Sequence, residues 1–249
     1  MLAEPIVIRE NSISVAWTQT LSALMTPGVS EIVPLQVLIE ICDDQPVELE
    51  AIRNALDSEL RANKLPLIDT IASTIFPVSM WNPALPRKKL FERYLGALPS
   101  LKKFPQNRNG LYFERFIAYG EKQDNQLDFI IKSRLGENGR SPNRRRSMLQ
   151  AAVLEPGRDI TNQRQRGFPC LQQVSFAPYG NNELAVIGFY ATQYIFQKAY
   201  GNYLGLYNLG RFVAHELELK LTQVTCFTGI AELGISKAAL RELATRVEQ

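Results

Sequence analysis

One histidine, His215, and three cysteines, Cys42, Cys170 and Cys226, are all that 249 residues provide of the usual metal-binding side chains of that kind. Cysteines so few and so scattered make neither a disulfide framework nor a CxxC metal site, and a single histidine argues against structural zinc and a Ser-His-Asp triad. Nowhere does a run of about 18 apolar residues occur, so no membrane-spanning helix is expected. The opening MLAEPIVIRENS carries acidic residues where a signal peptide needs a basic segment and a longer apolar run, which points to a cytoplasmic protein. Internal repeats and low-complexity tracts are missing too. What is present is ordinary: 45% hydrophobic and 21% charged residues, with 15 Gly and 14 Pro, the make-up of a soluble globular chain. The length suits one domain over residues 1–249 and suffices to bury most of its apolar surface.

The net charge of +3 is unevenly placed. Between Lys132 and Arg166 nine basic residues face three acidic ones, so that segment carries +6 and the remainder −3. Part of it, Asn143-Arg144-Arg145-Arg146 in a Gly/Pro-punctuated loop, offers planar multi-donor groups suited to bidentate phosphate recognition. The same run reads equally as a solvated loop. A nucleic-acid patch is a third reading, weakened because no aromatic residue interleaves the loop itself.

Periodicity predicts a helix over Ile13–Met25, a strand over Leu35–Ile41, and a helix over Val47–Ala62 started by Asp43-Asp44-Gln45-Pro46. Prolines recur between Phe76 and Pro105 around one basic helix, Lys88–Leu98. A helix is expected over Lys122–Arg134 and a short strand over Met148–Leu154. Strands Leu171–Ala177 and Leu184–Phe189 flank a turn at Tyr179-Gly-Asn-Asn, followed by a long helix Gln193–Glu218, a strand Lys220–Phe227 and a helix Ala231–Val247.

Phe168-Pro169-Cys170 sets a cysteine at the mouth of a strand, where a thiol is held rigidly yet stays accessible. A thiolate there is a nucleophile if positive charge stands near it; otherwise the residue is a buried structural cysteine. In the long helix, Gly201, Gly205 and Gly210 permit close approach of a neighbour, with tyrosines around them, and read as tight packing or as a ligand wall. Asn202 differs in kind, because a carboxamide carries donors and an acceptor and can read the edge of a pyrimidine. His215, over three turns later, reads as a surface or core residue, not as a partner of Cys170.

The order of these pieces resembles thymidylate synthase and its pyrimidine hydroxymethylase relatives: an arginine pair before a strand, Pro-Cys at the next strand, a polar segment, then an asparagine inside a helix. The likeness is clearest over residues 143–233 and weaker over Gly110–Arg115. It implies an α+β fold with a mixed sheet packed by helices and a sheet-to-sheet homodimer. It also implies that Cys170 adds to C6 of a pyrimidine nucleotide or nucleoside, that Tyr112 helps remove the C5 proton, and that Asn202 reads the base. Arg145 and Arg146 would reach the partner's phosphate, and Thr192 would replace a phosphate-binding serine. A reduced folate, methylenetetrahydrofolate, would donate the one-carbon unit, and no metal is expected.

Several positions depart from that pattern. The arginine that grips phosphate and supports the nucleophile is replaced by Ala191, with Arg144, Arg164 or Lys198 as candidate substitutes. Tyr194 stands for an aspartate, Leu171 for the His after Pro-Cys, and Glu232 and Gly234 for the ribose readers. Trp81 is offered as a stand-in for the folate-stacking tryptophans. Three functions remain open: C5 methyl or hydroxymethyl transfer, a nucleotide- or nucleoside-binding protein that has lost turnover, and, ranked behind both, nucleic-acid binding.

Overall fold

A computed structural model describes residues 5–107, 110–137, 139, 141–160, 162 and 169–247. Arg140, Arg164, Arg166 and Phe168 lie outside the described residues. The chain begins with β1 (Ile6–Glu10), α1 (Ile13–Met25), β2 (Glu31–Ile32) and β3 (Leu35–Glu40). Helices α2 (Glu50–Ala62), α3 (Ile68–Ile75), α4 (Arg87–Leu101), α5 (Tyr112–Ile117) and α6 (Gln126–Leu135) follow. Next come β4 (Gln150–Ala152), the one-turn α7 (Pro156–Asp159), β5 (Leu171–Tyr179) and β6 (Glu183–Tyr194). A single π turn (Ile195–Ala199), α8 (Tyr200–Glu216), β7 (Lys220–Glu232) and α9 (Lys237–Val247) complete it.

The strands form one open mixed sheet in the order β1-β3-β7-β6-β5-β4, with β2 attached to β7. Pairs β1/β3 and β6/β7 are parallel, and each needs a crossover, supplied by α1 and by α8. The other pairings of that order are antiparallel, so the architecture is α+β, a mixed open sheet packed by helices. No helix among the described residues is long and apolar enough to cross a membrane.

Alternation along the strands separates two faces. Val37, Val224, Cys226, Val186 and Tyr190 point into one hydrophobic core under α1 and α8. The opposite positions stay open, with Val7 67% and Phe189 42% exposed. Phe189 stacks on its cross-strand neighbour Phe227, centroids 5.5 Å apart and planes 16° apart.

Local chemistry accounts for most element ends. Ser12 caps α1, its hydroxyl accepting from the Ser14 amide at 3.2 Å. Asn125 caps α6, so that helix starts at Gln126 and not at Lys122, and Gly136 ends it at φ 75°. Helix α2 starts at Glu50 after Leu49; Asp43–Pro46 lies in the preceding turn and caps nothing. The expected helix from Gln193 starts later, because β6 runs to Tyr194, held by pairing of Thr192, Gln193 and Tyr194 with Ile230, Ala231 and Glu232. That same pairing keeps residues 231 and 232 in β7 and delays α9 to Lys237. Strand β1 and helices α3 and α5 were not among the expected elements.

Candidate functional site

Cys170 is half-buried at the threshold of β5. Its carbonyl accepts from the Ala191 amide at 2.9 Å, which ties it to the far end of β6. The register slips between Leu171 and Gln173 just inside the strand. Such a bulge re-aims side chains beside it, and here it stands next to the thiol. The Thr192 hydroxyl lies 3.8 Å from the Cys170 sulfur.

Helix α5 delivers Tyr112 to the same place. The backbone N–H groups of Leu171 and Cys170 face its phenol oxygen, and burial together with the neighbouring thiol pushes its pKa above the ordinary tyrosine value. Tyr190, opposite Leu171 on β6, is fully buried, and its hydroxyl has no hydrogen-bond partner among the described residues. Burial raises its pKa, with the charges of Cys226, Tyr112 and Cys170 adding to the effect.

The π turn brings a lysine. Lys198 is half-buried; burial lowers its pKa, and the neighbouring Cys170 opposes that shift. One turn on, Asn202 is 5% exposed, and its carboxamide makes no hydrogen bond among the described residues. Gln197 donates to the Gly234 carbonyl at 2.8 Å and Phe196 donates to that of Leu233 at 3.3 Å, so the turn is pinned to the chain beyond β7.

A thiol, a phenol, a hydroxyl and an amine are thus gathered near one end of the sheet, with Asn202 four residues beyond the lysine. No family model matches the chain, and a search of curated proteins finds no match. The reading of the site therefore rests on its own geometry.

The structure does not bring Arg145 and Arg146 to Cys170 within one chain. Both are exposed, and Arg146 lines a cleft of about 260 Å³ with Arg134, Arg144, Tyr179 and Glu183. That cleft lies at the β5–β6 hairpin, a strand length of roughly 30 Å from Cys170. Arg144 is therefore no substitute within the chain for the charge absent at Ala191, and Arg164 lies outside the described residues. Lys198 is the candidate substitute whose charge interacts with the thiol.

His215 belongs to the other end of α8, about 20 Å beyond Asn202. It meets the edge of Trp81 at 5.7 Å and makes no dyad with Cys170. Trp81 packs edge-on against Phe76 and Phe212 at 5.8 Å each, with the Arg211 guanidinium 5.9 Å from its ring. Its ring is built into that aromatic cluster, which reaches the His215 end of α8.

Glu232 and Gly234 line a second cleft, of about 330 Å³, with Tyr194, Ser30 and Lys237. Gly234 has φ 81°, and an added Cβ would lie 3.0 Å from Tyr194. Gln193 was missed from sequence. It is buried, donates toward the Cys226 sulfur at 3.8 Å and accepts from the Thr228 hydroxyl at 3.1 Å. The alternation that puts Cys226 and Thr228 on the inner face of β7 was the available signal. Burial pushes the Cys226 thiol up to about 12, so it stays protonated and inert at neutral pH.

Proposed function

We propose that this protein is a divergent relative of thymidylate synthase, in which Cys170 adds to C6 of a pyrimidine nucleotide or nucleoside and so activates C5. The observation that carries the reading is the grouping of the Cys170 thiol with Thr192, Tyr112 and Lys198 at one end of the sheet. The step balances without a second reactant. The sulfur–C6 bond forms, the C5=C6 electron pair moves onto C5, and C5 takes a proton from solvent. Loss of the original C5 hydrogen restores the double bond and expels the sulfur. Tyr112, kept neutral by burial, is placed to pass the proton, and Asn202 to read the base edge.

The site is complete in a sheet-to-sheet homodimer on this reading, with Arg145 and Arg146 serving the partner's ligand. Exposed apolar residues on the open face supply an apolar surface for that contact. A folate donor gains no support from Trp81, so the test begins with the exchange that needs no donor. Tritium at C5 of 2′-deoxyuridine or 2′-deoxycytidine 5′-monophosphate is expected to appear in water at high enzyme, and Cys170→Ser to abolish its release. No release from any pyrimidine nucleotide overturns the enzyme reading. Adding methylenetetrahydrofolate then tests the donor, by whether a C5-methyl or hydroxymethyl product forms.

A second reading, favoured by the Glu232 carboxylate in the cleft near the end of β7, is a binding protein without turnover for an uncharged pyrimidine. It predicts binding by calorimetry with no tritium release, and an affinity indifferent to Cys170→Ser.

A further inference from the structure

Segments distant in sequence close the basic cleft at the far end of the sheet. Arg134, Arg144 and Arg146 line it together with the β5–β6 turn, which contributes Tyr179, Gly180 and Glu183. Each wall is fixed by backbone. Arg134 lies in the last turn of α6, where the carboxyl end of a helix favours a cation. The Asn143 amide donates to the Ser133 carbonyl at 2.8 Å, and its side-chain oxygen accepts from the Arg145 amide at 2.9 Å, so the loop carrying Arg144 is folded back onto that turn. The Lys220 amide donates to the Asn182 carbonyl at 2.8 Å, which ties the β5–β6 turn to the start of β7.

The charges in the cleft are not balanced from within the chain. None of the three guanidinium groups has a carboxylate within 4.0 Å among the described residues, although Arg134 is half-buried. Arg87 and Arg115, by contrast, are held by Asp128, Glu137 and Glu216 and by Asp159. Glu183 lines the cleft but makes no ion pair with its arginines; its carboxylate lies against Gly180 and acts on the charge of Lys220. Three like charges sharing one cleft repel one another, and a bound anion reverses that cost. Guanidinium groups donate and never accept, so the matching ligand carries several acceptor oxygens on more than one anionic centre. A nucleic-acid strand also does so, but it needs a basic track to follow. Here residues 132–166 carry +6 and the remainder −3, so the positive charge is confined to a small region and suits a compact polyanion in a cleft of about 260 Å³.

We propose that this cleft is a second ligand site, which binds a polyphosphate chain through Arg134, Arg144 and Arg146. The chain belongs to inorganic triphosphate or to a nucleoside triphosphate whose base meets the Tyr179 ring, 37% of that residue being exposed. The site goes beyond the function read at Cys170, which uses neither Arg134 nor Arg144, and it is complete within one chain.

Titration calorimetry at low salt, without divalent cations, tests this with inorganic triphosphate and with adenosine 5′-triphosphate on the wild-type, Arg134→Gln, Arg144→Gln and Arg134→Gln/Arg144→Gln proteins. Both ligands are expected to bind the wild type. Each single substitution is expected to weaken binding about tenfold, the low end for a charge-assisted contact because the cleft is open to solvent, and the double variant about a hundredfold. Arg211→Gln, an exposed arginine outside the cleft, is expected to leave the affinity unchanged, and an unaltered urea midpoint certifies each variant as folded. Tighter binding of the nucleotide assigns the site to a nucleoside triphosphate, and equal binding to the inorganic chain. Failure of both to bind the wild type, or an affinity that survives the double substitution, overturns the proposal. Displacement of triphosphate by an equal amount of 2′-deoxyuridine 5′-monophosphate also overturns it, since the cleft would then serve the pyrimidine site of a partner. Cys170-dependent tritium release is read separately and does not depend on any of these outcomes.

Discussion

Among single residues, the Arg115–Asp159 pair shows how much depends on one contact. Both side chains are buried, with Arg115 Nη1 2.5 Å from Asp159 Oδ2 and Nη2 2.8 Å from Oδ1. Arg115 also donates to the Val153 carbonyl at 2.8 Å, and Asp159 accepts from the Glu155 amide at 2.8 Å. The pair thereby ties α5, which carries Tyr112, to α7 and the end of β4. Removing one partner strands a buried charge, so Arg115→Met is expected to cost about 3–5 kcal/mol of stability in urea denaturation at neutral pH. A cost below about 1 kcal/mol would deny the pair that role.

Its pH dependence follows from the carboxylate. Burial pushes the Asp159 pKa up, but the Arg115 hydrogen bond and the Glu155 amide outweigh it and hold the group below the usual carboxylate range. A depressed folded pKa gives stability that is full above the unfolded value, near about 4, and is lost as pH falls through the folded one. Asp159→Asn is expected to flatten that part of the acid limb. An acid limb unchanged by the substitution counts against the assignment. Single residues also divide by legibility. Cys170 was marked by the Pro-Cys step at a strand, whereas nothing near Lys198 in sequence announces that its side chain is half-buried, because that burial is made by distant segments.

Helix α8 is the element that positions Asn202, and two glycines decide where it sits. A Cβ on Gly201 would lie 2.6 Å from Ile71 Cβ and 2.9 Å from the Ile68 carbonyl; one on Gly205 would lie 2.8 Å from Ile75 Cβ and 2.9 Å from the Ala72 carbonyl. Both glycines thus seat the helix directly on the backbone of α3, which settles their meaning as close packing. Backbone cannot yield as a flexible side chain can, so Gly205→Ala is expected to destabilise by about 1–3 kcal/mol, read as a lower denaturation midpoint. Gly201→Ala, adjacent to Asn202, is expected to weaken pyrimidine binding as well. An unchanged midpoint for both variants would mean that α3 and α8 can separate freely. The spacing of these glycines was visible in sequence; the partner helix was not, since α3 spans only the eight residues Ile68–Ile75 and no expected element covered them. The late start of α8 escaped for a related reason. Cross-strand pairing with β7 overrides the helical periodicity that begins at Gln193, and pairing is a property of two distant segments.

For the whole molecule, the two faces of the sheet and the placement of the arginines point the same way. One face is roofed by helices, while the other presents the Phe189–Phe227 stack together with exposed Val7 and Ile230. An apolar surface of that kind is what a self-complementary interface covers. Light scattering at micromolar concentration is expected to report about twice 28.1 kDa, and Phe189→Asp to return the mass to that of one chain. The α+β class was legible from strand and helix order, but bareness of one face was not, because Gln and Thr interleave the apolar positions there. The arginines make the sharper prediction. If Arg145 and Arg146 act on a neighbour's ligand, Cys170→Ser and the Arg145→Ala/Arg146→Ala double variant are each inactive alone but repair one another when their subunits exchange. In random mixing half the dimers are mixed, and each of those holds one site with an intact thiol facing intact guanidinium groups. Tritium release from the refolded equimolar mixture is then expected to recover to about a quarter of the wild-type rate. Recovery that stays at the level of the separate variants would place the arginine cleft and the thiol in unconnected roles.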